Sequence, residues 1–451
     1  MSEHRLGRWN KFIWFVIVGM ILTHTGYYFK YVSLVSGKSS VSDRRQEKTT
    51  DNQMYNQSVT LYSAFINEEY SASAKIHPLV RRQITVLSWQ TENVVEETFK
   101  CCILQGKNHV MASKSTRSHQ CCYNMGLLRA RRIECPLVGE FSKLTGVSLA
   151  KWNMSCPTDK LYYITPTVLD PVLKKNKWAV CNKYFYGPGP NARLLVEWFE
   201  IHRFVGVDKF TIHYESTINS TTKKVLQFYQ KKGLAEVLHI DAPFKDKIKR
   251  HSHYPRYVLF NDEQIGLWDC RERHKYYEFS ADIDSDEFIL PKVIKENATK
   301  NILTETFRKN PVGAVTFYTH IHMTSWEPTN ATHPLFIGQY EISTEPLIEA
   351  PKNMYMPSRM NSGEGTIHTV NPAQGFTRIF LDPGKAAIHH FRPCRSSWLE
   401  PFLARIFRNG TVTEVKLTCS TFSRVLPIVM QGQYVEQIGK MVQRVYSRLG
   451  I

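Results

Sequence analysis

The chain has no zinc-finger spacing, no RNP-type motif and no bZIP heptad. These absences argue against nucleic acid as a partner, although 58 Lys+Arg outnumber 40 Asp+Glu and leave a net charge of +18. It also lacks a Walker-type glycine loop, so phosphotransfer would be without its usual phosphate cradle. None of its ten cysteines shows CxxC spacing. Disulfides in an oxidising compartment are therefore the simpler expectation, the Cys101-Cys102 and Cys121-Cys122 pairs included, with connectivity open. Residues 12–29, "FIWFVIVGMILTHTGYYF", hold no Lys, Arg, Asp or Glu. As a helix this run rises about 27 Å, close to a bilayer core. A cleaved signal peptide is the rival reading, but no clear small-x-small site follows the run.

What is present describes a folded protein, with hydrophobic content of 42% and aromatic content of 12%. The flanking charges of the apolar run do not fix its orientation. Six N-x-S/T sequons do better: Asn56, Asn153, Asn219, Asn297, Asn330 and Asn409 are spread evenly along the chain. With the cysteines they favour a lumenal domain behind a cytosolic tail (1–11) and a single signal anchor (12–29). Residues 30–72 are polar and poor in aliphatics and read as a stem. Residues 73–172 carry short apolar runs between turn signals, among them 84–89, 98–104 and 160–168, and read as a β-rich accessory region.

From 173 to 430 strand and helix alternate, the pattern of an α/β domain with a mostly parallel sheet. Strands are expected at 178–185, 207–215 and 234–240. Helices are expected at 191–206, closed by Gly206, and at 220–233, closed by Gly233. Asn261 and Gln264 resemble a capping box opening a helix through about His274. Residues 431–451 form an amphipathic helix with Val435, Ile438, Val442, Val445 and Leu449 on one stripe, suited to docking on the domain.

The stretch "ADIDSDEFILP" (281–291) concentrates acid at the end of an expected strand. An EF-hand is excluded, because Glu287 and Val293 stand where the loop needs Gly and Glu. A solvated turn is the bland reading. Carboxylates two apart at a strand end point to the same side, and hard oxygen ligands suit Mn²⁺ or Mg²⁺ bridging two phosphates of a nucleotide. In parallel sheets ligands gather at the carboxyl ends of strands. Lys183 and Tyr184 end the first strand, and Tyr214 and Glu215 end the next, so all four are candidates for the donor pocket. The basic loop 245–256 is a candidate to close over a diphosphate.

The segments "LVEWFEIHRFVGVDKFTIHYE" (195–215), "LWDCRERHKYYEFSADIDSDEFILP" (267–291) and "AAIHHF" (386–391) together resemble glycosyltransferase family 92, over roughly 177 to 395. That resemblance implies a GT-A nucleotide-sugar-binding fold in a single-pass type II Golgi membrane protein with a lumenal catalytic domain. It implies inverting transfer of a hexose, galactose in characterised relatives, from a UDP-sugar to a glycan on protein or lipid. The family's D-x-D-E-F pattern falls on Asp284 to Phe288, so Asp284 and Asp286 are the implied metal ligands, with Asp282 an extra acid beside the donor. His389 and His390 are candidates to complete the metal shell, undistinguished from each other. Arg271 and Arg273 lie where related folds contact the nucleotide. Inversion needs a base, and Glu341 is the first choice over Glu327 and Glu345. The competing class is an anchored glycan-binding protein that has lost activity on the same scaffold.

Overall fold

The computed structural model describes residues 59–70, 80–91, 98–106, 109–120, 128–138, 141–240, 255–309, 311–361, 365–427 and 433–451. The N-terminal part is all β. Its strands are β1 (Val59–Tyr70), β2 (Val80–Thr91), β3 (Phe99–Gln105), β4 (His109–Lys114), β5 (Arg117–Gln120), β6 (Leu128–Pro136), β7 (Leu144–Lys151) and β8 (Thr167–Val168). They form a five-stranded sheet, ordered β5-β6-β2-β1-β8, and a three-stranded sheet, ordered β4-β3-β7. Strand alternation gives the larger sheet two buried faces. Ala64, Ile66, Ile84 and Val86 meet Phe99, Ile103 and Val147 of the smaller sheet. Phe65, Leu87 and Trp89 turn the other way, toward Tyr184, Ile265 and Trp268. The stretch expected as stem is thus strand from Val59 onward, because its few apolar residues alternate between two cores.

The α/β part begins with β9 (Lys174–Asn182), α1 (Ala192–Val205), β10 (Lys209–Tyr214), α2 (Ser220–Lys231) and β11 (Ala235–His239). Then come α3 (Pro255–Arg273), β12 (Tyr277–Ile283), β13 (Glu287–Pro291), α4 (Ala298–Arg308), β14 (Val312–Thr316) and β15 (Thr319–Met323). A short α5 (Phe336–Gln339), β16 (Ser343–Thr344), β17 (Asn353–Tyr355), β18 (Thr377–Phe380) and β19 (Ala386–Arg392) follow. The hairpin β20 (Phe402–Arg408) and β21 (Thr411–Leu417), then β22 (Arg424–Val425) and α6 (Gln433–Leu449), complete the chain. The main sheet has seven strands, ordered β11-β10-β9-β12-β17-β14-β18. β17 runs antiparallel to both neighbours, and the other pairings are parallel. A second sheet is ordered β13-β19-β15. The chain therefore leaves one sheet at Ile283 and enters another at Glu287, and the acidic turn spans the gap.

Local chemistry explains the helix that supports this turn. Asn191 caps α1 by accepting from the backbone N–H of Arg193 and Leu194. Gly206 ends it at φ 119°, and a Cβ there would meet Lys300 Cβ at 2.5 Å, so glycine is required twice over. The α6 stripe packs on α1, with Tyr446 Oη donating to the Arg193 carbonyl at 3.1 Å. Val435, Ile438, Val442 and Val445 are buried, each contributing about 1.5–3 kcal/mol, which favours docking over waiting for a partner.

Two expected elements differ. Residues 160–168 form a 3-10 turn at Lys160–Tyr162, capped by Asp159, with strand only at Thr167–Val168. Pro166 lacks the N–H that a continuous strand would use. Asn261 lies inside α3, which starts six residues earlier at Pro255, a residue suited to a first helical turn. Among the described residues no helix is long and apolar enough to cross a membrane. Residues 12–29, Asn56, Cys121, Cys122 and most of the basic loop lie outside the described residues.

Candidate active site

The acidic turn sits at the carboxyl end of β12, beside the carboxyl end of β9. The Lys183 N–H donates to the Ile283 carbonyl at 3.1 Å, which aligns the two strand exits. Inside the turn the Glu287 N–H donates to the Asp284 carbonyl at 3.2 Å, and the Asp284 N–H to Glu287 Oε2 at 2.9 Å. From below, Trp198 Nε1 on α1 donates to the carbonyls of both Asp284 (3.1 Å) and Glu287 (3.0 Å). The turn is thus held from its own ends and from the helix core. It opens on a cavity of about 490 Å³ whose lining includes Lys183, Tyr184, Tyr186, Asn191, Asp284, Asp286, Glu287, His368, His390, Arg392 and Arg395.

The antiparallel strand β17 brings a cation to this place. Asp282 pairs with Asn353, so Lys352, one residue before the strand, lies beside the exit of β12. Lys352 is wholly buried, with Nζ 3.0 Å from Asp284 Oδ2 and 3.2 Å from Glu287 Oε2. Burial alone would raise the Asp284 carboxyl, but the charges of Lys352 and Lys183 outweigh it and hold the group well below the usual carboxylate range. Burial pushes the Glu287 carboxyl up. Asp284 Oδ1 is buried and has no hydrogen-bond partner among the described residues. Asp286 is the most open acid of the turn, with its side chain 40% exposed and Oδ2 3.2 Å from His390 Nε2. His390 Nδ1 lies 3.4 Å from Glu287 Oε1.

The two adjacent histidines are separated by the strand period. Glu287 pairs with His390 across β13 and β19, so both face the turn. His389 faces the opposite side, where its Nδ1 meets His322 Nε2 at 3.0 Å and its ring stacks on His320. Burial holds His389 well below the ordinary histidine range, and His322 down to about 3. His389 is therefore a core residue, and the expectation that it reaches the acids is corrected.

Other expectations also shift. Asp282 is buried and receives both Nε (3.1 Å) and Nη2 (2.7 Å) of Arg271 together with Tyr355 Oη (3.2 Å). This pair satisfies itself, and neither residue lines the cavity. Arg273 pairs with Asp269 and Glu236, each at 2.6 Å. Lys183 and Tyr184 line the cavity; Lys183 pairs with Glu263 at 3.1 Å and Tyr184 Oη reaches Glu215 at 3.3 Å. Glu215 and Tyr214 are not in the lining, and Tyr214 packs on His239 instead. Glu341 is not in the lining either; its N–H donates to Thr329 Oγ1 at 3.1 Å. Glu345 is paired with Arg408. Asn153, Asn219, Asn297, Asn330 and Asn409 are all exposed. Asn219 also caps α2 and donates to the Pro188 carbonyl at 2.6 Å.

Sequence reasoning missed Lys352, His368, Arg392 and Arg395. Arg395 pairs with Glu349 at 3.0 Å, and burial holds His368 down to about 4. Arg392 follows directly on the His390-Phe391 pair, and strand alternation places it on the His390 face. Nothing in the local sequence marks Lys352, which is joined to Asp284 only by topology. The described cysteines pair as Cys101–Cys135, Cys102–Cys156, Cys181–Cys270 and Cys394–Cys419. His274 lies beside Cys181 and Cys270, but that disulfide leaves no thiolate pair for a metal there.

Glycosyltransferase family 92 matches residues 176–423, more than half of the chain and the whole of the cavity. The beta-1,4-galactosyltransferase galt-1 of Caenorhabditis elegans is 24% identical over 143 residues, 31% of each chain. That match thus spans about a third of the relative's own length. Two solved structures are distant. The WbbM bifunctional glycosyltransferase is 10% identical over 43% of this chain and 34% of its own, with a TM-score of 0.22. The 4-diphosphocytidyl-2C-methyl-D-erythritol synthase of Anaerococcus prevotii DSM 20548 is 9% identical over 41% of this chain and 71% of its own, at 0.21. Likenesses at that level carry no structural argument.

Proposed function

The chain belongs to glycosyltransferase family 92, and on that premise we propose that it moves a hexose, galactose first among the candidates, from a UDP-sugar to a glycan acceptor with inversion, in a GT-A-type site that uses Mn²⁺ or Mg²⁺. One observation carries this reading: an acidic turn at the carboxyl end of a parallel strand faces a cavity and leaves a buried carboxylate oxygen, Asp284 Oδ1, without a partner among the described residues. Asp284, Asp286 and His390 offer the oxygen and imidazole donors that Mn²⁺ accepts, so the residues fit the ion. Bound there, the ion supplies charge neutralisation for the departing nucleoside diphosphate. Arg392 and Lys183 extend the positive lining where an anionic donor would lie. Trp198 fixes the backbone of the turn, so the acids need no rearrangement to present themselves. Glu341, which is not in the lining of this cavity, remains the first candidate by residue type for the acceptor's base. We further propose a lumenal, Golgi-type setting behind a signal anchor; the four disulfides and five exposed sequon asparagines support it.

The test is thermal protection by a panel of UDP-sugars with and without Mn²⁺, followed by assay of UDP release. A true donor present at about 100 times its Kd stabilises the native state by about 2.7 kcal/mol. UDP-galactose with Mn²⁺ is expected to give the largest shift. A panel that shifts nothing, metal present or absent, would sink the assignment.

A further inference from the structure

Lys352 is a buried cation placed on the very carboxylate that a metal would need. Its ammonium contacts Asp284 Oδ2 at 3.0 Å and Glu287 Oε2 at 3.2 Å, with the side chain 1% exposed. Glu287 Oε2 also receives the Asp284 N–H, and Glu287 Oε1 faces His390, which in turn faces Asp286. One lysine therefore sits at the head of a chain of contacts running through the whole acidic turn. Lys183 adds a second positive charge near Asp284. Because β17 runs against its neighbours, the lysine arrives from the main sheet and needs no loop movement to reach the turn.

We propose that Lys352 is a positioning residue that makes divalent-metal binding conditional on a nucleoside diphosphate. This rests on the donor reading above. A bare divalent ion at Asp284 Oδ1 meets an ammonium already bound to the other oxygen of the same carboxylate, and like charges in a buried setting repel strongly. A diphosphate brings negative charge of its own, faces Lys183 and Arg392, and offsets that repulsion. The ion and the diphosphate then enter as a coupled pair. Linkage requires that each raise the other's affinity by the same factor.

The experiment is Mn²⁺ binding to the full-length chain, read by electron paramagnetic resonance and calorimetry with Mn²⁺ alone, UDP alone and both. In the wild type, Mn²⁺ alone is expected to bind at least about tenfold more weakly than in saturating UDP. Lys352→Met closes that gap to within about threefold by strengthening the Mn²⁺-alone arm, whereas Lys352→Arg, which keeps the charge, preserves the gap. Should Lys352→Met misfold with two carboxylates uncompensated, the pair Lys352→Met with Glu287→Gln restores the charge balance and is read the same way. Equal Mn²⁺ affinity with and without UDP in the wild type overturns the proposal, as does an unchanged Mn²⁺-alone affinity in the charge-removed variants. If UDP binds under no condition, the donor reading falls, while the Mn²⁺-alone comparison of wild type and variant still decides the lysine's role.

Discussion

Around Arg132 the charges are fully engaged; around Asp284 they are not. Arg132 uses all three guanidinium nitrogens, on Glu134, on Glu272 (2.7 and 3.0 Å) and on Thr85 (3.4 Å). Glu272 Oε2 takes Asn67 Nδ2 at 2.8 Å. This network ties β1, β2 and β6 of the all-β part to α3 of the α/β part; its charged groups are all paired, although the amide oxygen Asn67 Oδ1 has no partner among the described residues. The turn at Asp284 is also buried and also ion-paired, yet among the described residues it keeps one carboxylate oxygen unpartnered and one aspartate 40% exposed at a cavity. In the first arrangement every charged group has a charged partner. In the second, Asp284 and Asp286 both line the cavity, and Asp286 is the more open of the two. Burial and ion pairing by themselves do not distinguish architecture from a site, and neither does one orphaned polar atom, since Asn67 Oδ1 is another; particular to the turn is a carboxylate oxygen without a partner among the described residues, on a residue that lines a cavity.

Three substitutions would break or sharpen that contrast. Arg132→Ala strands Glu272 and Glu134 in the interior, and calorimetry should record a stability loss of about 3–5 kcal/mol. The activity of whatever fraction stays folded should be unchanged. Asp286→Ala should do the reverse. Transfer should fall by roughly 10²–10³-fold, on the scale of losing one charge-stabilising group, with stability within about 0.5 kcal/mol of wild type. Retained metal-dependent turnover in Asp286→Ala would remove the acidic turn from the chemistry.

Glu197 offers a third, smaller case: a buried carboxylate met by the N–H groups of Phe336 (2.9 Å) and Ile337 (3.5 Å) and by Tyr446 Oη (3.3 Å) rather than by a cation. Burial pushes it up to about 7. The folded state therefore holds the proton more tightly than the unfolded chain. Its contribution is fully present below the ordinary carboxylate range and is lost as pH rises through about 7. Glu197→Gln should raise stability at pH 8 by about 1–3 kcal/mol and leave it nearly unchanged at pH 4. A mutant whose melting temperature follows the same pH curve as wild type would refute this.

Much of the scaffold could be read from local signals. Gly206 and Gly233 close helices because the chain turns left-handed there, and apolar periodicity marked α1 and α6. The acidic turn was legible for the same reason: its residues are adjacent. What escaped depends on contacts between distant segments. Period-two alternation says that His389 and His390 part company, but only the register with β13 says which one meets the acids. Arg271 and Asp282 carry the charges expected of a donor site, yet each is the other's partner. Lys352 stands in a stretch without a pattern of its own, and for Glu341 the sequence offers only residue type and chain position, with no geometry.

The reversed strand β17 has a wider consequence. It is three residues long, and its pairing with β12 and β14 fixes Lys352 at the rim of the turn. A slip of a single residue would point the neighbouring side chain there instead and send the ammonium to the far side of the sheet. The long excursion between β15 and β17 enters and leaves at fixed points. Its middle is anchored as well, by the Phe336 and Ile337 N–H groups on Glu197 and by the paired backbones of Thr319 and Leu347, so the lysine is delivered by a packed connection.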